Sequence, residues 1–164
     1  MSKVRTRIAP SPTGYLHVGN ARTALFNFLF ARHEGGVFVV RLEDTDKERS
    51  KQEYADDIFE QFKWLGLTAD ETYIQSEHVA QHTESLHKLV AEDKAYISKE
   101  PAKDDPTRTV EVVRLRNPGK SITFTDLARG DITFDTTELK DFGSARAIDE
   151  PLYHFAVVAD DGDA

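Results

Sequence analysis

The chain has 164 residues, of which 39% are hydrophobic and 30% charged, a composition typical of a folded protein with one domain or one domain plus a small insertion. The absence of cysteine excludes a disulfide framework and a thiolate metal site. No apolar run approaches the roughly 18 residues of a membrane-spanning helix, and the start of the chain lacks the apolar core of a signal peptide. We therefore expect a cytoplasmic protein without membrane attachment.

The net charge of −8 argues against non-specific nucleic-acid binding through bulk charge. The charge is unevenly distributed, with local net charges of +3 in residues 1–49, −6 in 50–98, +2 in 99–120 and −7 in 121–164. A phosphate ligand is expected to prefer the first of these segments or the basic stretch 108–120. The acidic segments are most simply solvated faces.

Strand and helix patterns alternate through the first 98 residues. Strands are predicted at Val4–Ile8, Val37–Val40 and Tyr73–Gln75, and helices at Val18–Arg32, Lys51–Leu65 and Ser76–Glu92. Strand, helix and strand in such close succession predict a βαβ unit with a parallel pair of strands. The predicted fold class is α/β, with a Rossmann-like doubly wound parallel sheet.

The pattern changes beyond Tyr96, where short alternating strands are separated by turn residues. These strands are predicted at Val110–Leu115, Ile122–Thr125 and Ile132–Phe134. We therefore divide the chain into a first part of the Rossmann-like domain at 1–98, a short antiparallel β-rich insertion at 99–149, and a return strand of the sheet at 150–164. The aromatic residues of the predicted helices are expected to lie in the core.

A loop that carries proline and glycine follows the first predicted strand and leads into the first predicted helix. In an open α/β sheet, ligands bind beyond the carboxyl ends of the strands, where a helix N-terminus offers free N–H groups to anions. Gly19 permits close approach of a ligand, and His17 at the mouth of the helix can donate a hydrogen bond to phosphate. These residues alone leave two readings open, a nucleotide site and a structural loop with a capping histidine.

Several separated segments resemble one family in order and spacing. They are Arg7–Gly14, His17–Asn20 (in the place of a His-Ile-Gly-His-type motif), Ala21–Asn27, Arg41–Asp46 and Pro151–Asp161. In these segments the sequence is similar to the catalytic domain of class I glutamyl-tRNA synthetases. Such enzymes activate glutamate with ATP to glutamyl-adenylate and then transfer the glutamyl group to tRNA.

The resemblance implies a role for individual residues. His17, Gly19 and Asn20 would contact ATP, with His17 and Asn20 as the catalytic residues. The glutamate-binding residues would be Arg7, Ala9, Ser11, Glu43 and Tyr153. A planar guanidinium suits the substrate carboxylate, and the carboxylate of Glu43 suits the α-ammonium group. The implied partners are L-glutamate, ATP with Mg²⁺ and tRNA. A monomer without zinc is expected.

The predicted insertion occupies the place at which family members bind the acceptor end of tRNA. Its basic residues Lys103, Arg108, Arg114 and Arg116 are therefore candidate tRNA contacts, with a solvated face as the alternative. His78 and His82 lie one helical turn apart, a metal-compatible spacing, but we expect surface histidines and no metal site.

The acidic residues after the second predicted strand also leave alternatives. Glu43, Asp44 and Asp46 could instead form an exposed acidic turn or a metal-binding cluster. Arg41 is interpreted as a helix-dipole or salt-bridge partner and is assigned no ligand.

The resemblance does not extend to the lysine-bearing second signature or the anticodon-binding region, because the sequence ends at Ala164. The chain by itself is therefore expected to be weakly active or inactive. Two alternative functions remain open. One is that of the truncated relatives that glutamylate queuosine on tRNA, and the other is a non-catalytic nucleotide-binding module.

Overall fold

The computed structural model of the protein describes residues 3–102 and 105–163, with the backbone alone at 163. These residues form two compact units. The first unit comprises the chain up to His78 together with the segment from Asp160 onward, and the second unit comprises Val79–Ala159. No helix in the described ranges has the length and apolar character needed to cross a bilayer.

The first unit is an α/β layer. Its elements are β1 (Arg5–Ile8), α1 (Val18–His33), β2 (Val37–Leu42), α2 (Gln52–Trp64), β3 (Glu71–Ile74) and a 3-10 helix (Gln75–His78). The strands are parallel in the order β1-β2-β3, with Arg7 beside Val39 and Val39 beside Glu71. The α/β class and the predicted βαβ unit are confirmed.

Both helices of the first unit pack on this sheet through a narrow apolar stripe. In α2, Ala55, Ile58 and Phe62 are buried at three- and four-residue spacing, as an amphipathic helix requires. Gly66 follows the last turn of the helix, and its φ of +74° is accessible to glycine at little cost. In α1 the small residues Ala24 and Ala31 face inward, which brings this helix close to the sheet.

The prediction that the helical aromatic residues are core is only partly right. Phe62 is buried, and Phe28 packs edge-on against the buried Phe38, with 5.5 Å between ring centroids. Phe26 and Trp64, by contrast, are exposed. The fully buried positions of α1 are alanines, and among its larger residues Phe28 packs on the core while Leu25, Phe26 and Leu29 are exposed.

The second unit consists mainly of antiparallel strands. Its elements are α3 (Val79–Ala91), β4 (Ala95–Pro101), β5 (Thr109–Leu115), β6 (Ser121–Asp126), β7 (Gly130–Asp135), β8 (Phe142–Ala147), β9 (Glu150–Pro151) and most of α4 (Tyr153–Asp163). One sheet has the order β4-β5-β8-β9, and β6 and β7 form a separate hairpin. The three predicted strands at 110–115, 122–125 and 132–134 are confirmed.

The predicted return strand at 150–164 is wrong, because this segment folds as α4 after the two-residue β9. Val157 and Val158 made the apolar run look like a strand. The structure buries Ala156 and leaves Val158 exposed, since the inward positions recur every three or four residues. Phe155 packs against a core cluster of the second unit. The buried positions Ala156 and Asp160 are thus spaced as in a helix, although the composition of the segment favours a strand.

Candidate functional site

The loop between β1 and α1 is fixed on the first unit by backbone hydrogen bonds. The N–H of Glu43 donates to the Pro10 carbonyl, and the N–H of Lys51 donates to the Pro12 carbonyl, both at 3.0 Å. A third bond joins the Leu16 N–H to the Asp57 carboxylate at 2.9 Å. The loop is thus held at the carboxyl ends of β1 and β2, the edge at which open α/β sheets bind ligands.

The N-terminus of α1 is capped by its own histidine. His17 has an extended backbone conformation, and its Nδ1 accepts a hydrogen bond from the N–H of Gly19 at 3.1 Å. Because Nδ1 acts as acceptor, the proton of the neutral ring lies on Nε2, which becomes a donor for a ligand. The first turn of α1 carries no acidic residue, so the positive end of the helix dipole is not neutralised by the helix itself. These features suit an anion such as phosphate.

Gly19 is required at this position by the histidine ring. A Cβ on residue 19 would lie 2.9 Å from Cε1 and 3.0 Å from Nδ1 of His17, closer than real Cβ contacts. We expect Gly19→Ala to displace the exposed ring and to change the unfolding free energy by no more than about 1 kcal/mol, the scale of the glycine-to-alanine helix propensity. NMR should show a shifted His17 side chain within an otherwise unchanged spectrum. An unperturbed His17 ring would contradict this geometry.

A buried ion pair lies at the end of β2. Arg41 and Glu43 are each only 3% exposed, and the Oε1 atom of Glu43 accepts bonds from Arg41 Nη2 at 2.8 Å and Nε at 3.2 Å. Removing two charges from water is costly unless they are paired and hydrogen-bonded. Arg41 is thus a salt-bridge partner, and the carboxylate that it pairs with belongs to Glu43, a predicted glutamate-binding residue.

Two acidic residues near the end of α4 complete this cluster within the first unit. The Asp161 carboxylate accepts bonds from Arg7 Nε and Nη2 at 2.6 and 2.7 Å and from Arg41 Nη1 at 2.7 Å. Hydrogen bonds from Arg7 hold the pKa of Asp161 below its usual range against the opposing effect of burial, and Arg41 adds to the lowering. Asp160 accepts bonds from Tyr73 at 2.9 Å and Gln75 at 2.7 Å.

No individual role was predicted for Asp160 or Asp161 from the sequence. A usable signal was present, because a charged residue inside an apolar strand, as Arg41 is in β2, needs a buried partner. The adjacent carboxylates that follow an apolar run were candidates for that partner. Their distance along the chain concealed the pairing.

The structure brings most of the predicted site residues to one edge of the first unit. These residues lie on β1 (Arg7), on the loop that follows it (Ala9, Ser11 and His17), at the start of α1 (Gly19 and Asn20) and directly after β2 (Glu43). Ser11 and His17 are exposed, while Ala9 and Asn20 are partly buried. Tyr153 belongs to the second unit, where it begins α4 with 51% of its surface exposed and packs edge-on to His154.

The acidic residues after β2 do not converge as metal ligands. Asp44 accepts bonds from the backbone and hydroxyl of Ser76, and Asp46 is paired with Arg49. Within residues 3–102 and 105–163, no three side chains of the metal-binding types are grouped as a metal site. Asp44 and Asp46 are thus engaged by different protein partners.

The candidate tRNA contacts lie in the second unit. Arg114 forms a two-point ion pair with Glu100, which lowers the pKa of that carboxyl to about 2. Arg116 pairs with Asp93 at 2.8 Å and stacks on Tyr96. Phosphate would compete with these carboxylates for both arginines. Arg108 is exposed, and Lys103 lies outside the described residues.

The two histidines of the metal-compatible pair differ from the surface prediction. His82 is buried in the second unit, so its assignment as a surface residue is wrong. His78, in the first unit, is partly buried and stacks on Tyr73 with ring centroids 3.8 Å apart. Helical spacing alone could not distinguish an inward-facing histidine from an exposed one.

A parallel α/β unit with a helix N-terminus and a cluster of charged side chains at the carboxyl ends of its strands is the arrangement in which open α/β sheets bind ligands. Residues 3–105 match the family model described as tRNA synthetases class I (E and Q), catalytic domain. The chain belongs to this family.

Individual relatives agree with the family model. The chain is 46% identical to a glutamate–tRNA ligase of Oleidesulfovibrio alaskensis, in a match over 98% of the chain and 40% of the relative. It is 42% identical to that of Aquifex aeolicus, over 98% of the chain and 41% of the relative. The chain thus spans about 40% of the length of these relatives.

Solved structures give the same result for the fold. A glutamate tRNA ligase from Elizabethkingia meningosepticum, crystallised in complex with its amino acid, superposes with a TM-score of 0.87 at 29% identity. The match covers 99% of this chain and 42% of that one. The glutamate-tRNA synthetase from Elizabethkingia anophelis gives a TM-score of 0.86, also at 29% identity, over 99% of this chain and 43% of that one.

Proposed function

We propose that the chain is the amino-terminal part of a cytoplasmic, monomeric glutamate–tRNA ligase, which converts ATP, L-glutamate and tRNA to glutamyl-tRNA through glutamyl-adenylate. One observation carries the proposal. Arg7 and Glu43 lie at the edge of the sheet where α1 begins, and they are connected to each other through Asp161 and Arg41. The names of the relatives support the same activity. Since the chain covers about 40% of those relatives, this activity is assigned to a longer protein.

The charges of the site are complementary to those of glutamate. The substrate carries an α-ammonium group and carboxylates. Glu43, directly after β2, and Arg7, on the adjacent strand β1, supply the opposite charges. Charge-assisted hydrogen bonds of this kind are stronger than neutral ones, and the planar guanidinium matches a carboxylate. Ala9 and Ser11 would add contacts from the loop, and Tyr153 remains a proposed glutamate-binding residue.

The start of α1 would hold ATP. His17 donates from Nε2 to phosphate, Gly19 permits close approach, and Asn20 adds a polar side chain. Mg²⁺ bound to the phosphates would neutralise negative charge. In the reaction, a glutamate carboxylate oxygen bonds to the α-phosphorus and pyrophosphate leaves, so alignment and charge stabilisation govern the rate. The two arginines of the second unit, Arg114 and Arg116, together with Arg108, remain proposed contacts for tRNA.

Binding to a non-hydrolysable glutamyl-adenylate analogue tests this proposal without requiring turnover. Isothermal titration calorimetry should show that the chain binds a glutamyl-sulfamoyl adenosine more tightly than ATP. Glu43→Gln should weaken that binding by about tenfold or more, the scale of a lost hydrogen bond to a charged group. Glu71→Gln, which removes the exposed partner of Arg5, is the matched control and should leave the affinity unchanged.

A ligand that lacks the α-ammonium group separates recognition from folding defects. It should bind the wild-type protein about tenfold more weakly than the complete analogue, and the Glu43→Gln variant should not distinguish the two ligands. Equal binding of ATP and both analogues would overturn the glutamate assignment and favour the non-catalytic nucleotide-binding module.

A further inference from the structure

We propose that Arg41 and Asp161 are positioning residues that hold Glu43 and Arg7 at the separation needed for the two charged ends of glutamate. This inference rests on the proposed function. It concerns two side chains that reach the substrate only through their neighbours. All four residues lie in the first unit.

The four side chains form one uninterrupted series of ion pairs. Arg41 bonds to Glu43 on one side at 2.8 Å and to Asp161 on the other at 2.7 Å. Asp161 then binds Arg7 through two parallel bonds of 2.6 and 2.7 Å. The outer members of the series are the proposed substrate contacts, so a movement of either inner member is transmitted to both ends.

The geometry of each contact restricts the outer side chains. Both bonds from Arg41 end on the Oε1 atom of Glu43, which leaves Oε2 for an incoming ammonium group. The two-point contact with Asp161 fixes the plane of the Arg7 guanidinium, because both Nε and Nη2 are engaged. Substrate groups would therefore meet side chains that have already lost their rotational freedom.

Burial makes Arg41 the fixed point of the series. Its side chain is almost fully enclosed, whereas the Asp161 side chain is 41% exposed. A second carboxylate, that of Asp160, lies 3.9 Å from Arg41 and is itself held by Tyr73 and Gln75. The Arg41–Glu43 pair is stronger than an ordinary surface ion pair because little water can screen it.

The charges of the cluster also favour an ammonium ligand. Arg7 and Arg41 carry two positive charges, while Glu43, Asp160 and Asp161 carry three negative charges when ionised. The formal charges of the cluster thus sum to one excess negative charge. Asp161→Asn removes that excess and also weakens the constraint on Arg7.

The test uses Asp161→Asn because the partial exposure of Asp161 lets the variant fold. Calorimetry should show about tenfold weaker binding of glutamyl-sulfamoyl adenosine, with ATP affinity unchanged. The matched control is Asp70→Asn, since the Asp70–Arg32 pair has the same 2.6 Å separation and nearly the same exposure as the Asp161–Arg7 pair. The Asp70 carboxylate also accepts a bond from the Phe38 N–H. Asp70→Asn should therefore lower the free energy of unfolding without changing the affinity for ATP or for the analogue.

A purely structural role gives a different pattern. Parallel loss of ATP and analogue binding in Asp161→Asn, or unchanged binding of both, would overturn the positioning role. A wild-type chain that binds the analogue no more tightly than ATP would instead overturn the proposed function, and this inference with it. The second variant, Arg41→Lys, keeps the positive charge but cannot make both bonds to Glu43 Oε1. It should also weaken binding of the analogue while leaving ATP binding unchanged. Unchanged analogue affinity in Arg41→Lys would contradict the proposal.

Discussion

Arg41→Met is expected to lower the free energy of unfolding by about 3–5 kcal/mol, the usual cost of removing one partner from a buried ion pair. The substitution leaves the buried Glu43 without its guanidinium partner and removes a contact of Asp161. Urea denaturation followed by far-ultraviolet circular dichroism measures the change.

Two controls show whether the loss comes from an unpaired charge. Arg5→Met breaks an exposed pair with Glu71 and should cost at most about 1 kcal/mol. The double variant Arg41→Met/Glu43→Leu removes both buried charges and should recover most of the lost stability, because apolar replacements of buried pairs are often tolerated. A loss below about 1 kcal/mol in Arg41→Met would mean that the pair is far more hydrated than its burial indicates.

Phe38→Ala is expected to lower the free energy of unfolding by about 3–5 kcal/mol. Phe38 is fully buried on the central strand β2, where it packs edge-on against Phe28 from α1. Its loss leaves a cavity between sheet and helix that the rigid backbone cannot fill. Urea denaturation followed by circular dichroism should show a lower urea concentration at the unfolding midpoint. The dependence of the unfolding free energy on urea concentration should stay unchanged.

The exposed aromatic residue of α1 supplies the control for that substitution. Phe26 is 59% exposed, so Phe26→Ala should change stability by less than about 1 kcal/mol, partly through the better helix propensity of alanine. Equal losses from the two substitutions would contradict the assignment of Phe38 to the core.

The first unit could be predicted from sequence because its signals are local. Gly66 ends α2 with a positive φ, and the continuous apolar run 37–40 indicated a strand covered on both faces. Both features are determined by residues close together in the chain. The constraint at Gly36 is different, because a Cβ there would collide with the carbonyl oxygen of the distant Val4.

The end of the chain was harder to predict. In α4, the β-branched residues Val157 and Val158 favour a strand, while burial at Ala156 follows a helical period. Tertiary packing of Phe155 against a core cluster prevailed over local propensity. A short apolar segment gives too few periods to separate these alternatives.

The candidate site shows the same division between local and distant information. His17 and Gly19 are neighbours, so their spacing was sufficient to suggest a capped anion site. The pairing of Arg41 with Asp161 joins residues 120 positions apart, and no local pattern specifies it. The sequence therefore indicated the groups that would meet the substrate, but not the side chains that hold those groups in place.

Mapping a ligand by NMR tests the central claim most directly, namely that β1, the following loop and the end of β2 form a site for glutamyl-adenylate. Proton–nitrogen correlation spectra of the labelled chain would be recorded during titration with glutamyl-sulfamoyl adenosine. The expected result is saturable shifts at residues 7–20, 41–43 and 161. Saturable shifts confined to 79–159, or no shifts at ligand concentrations that saturate a full-length relative, would contradict the site.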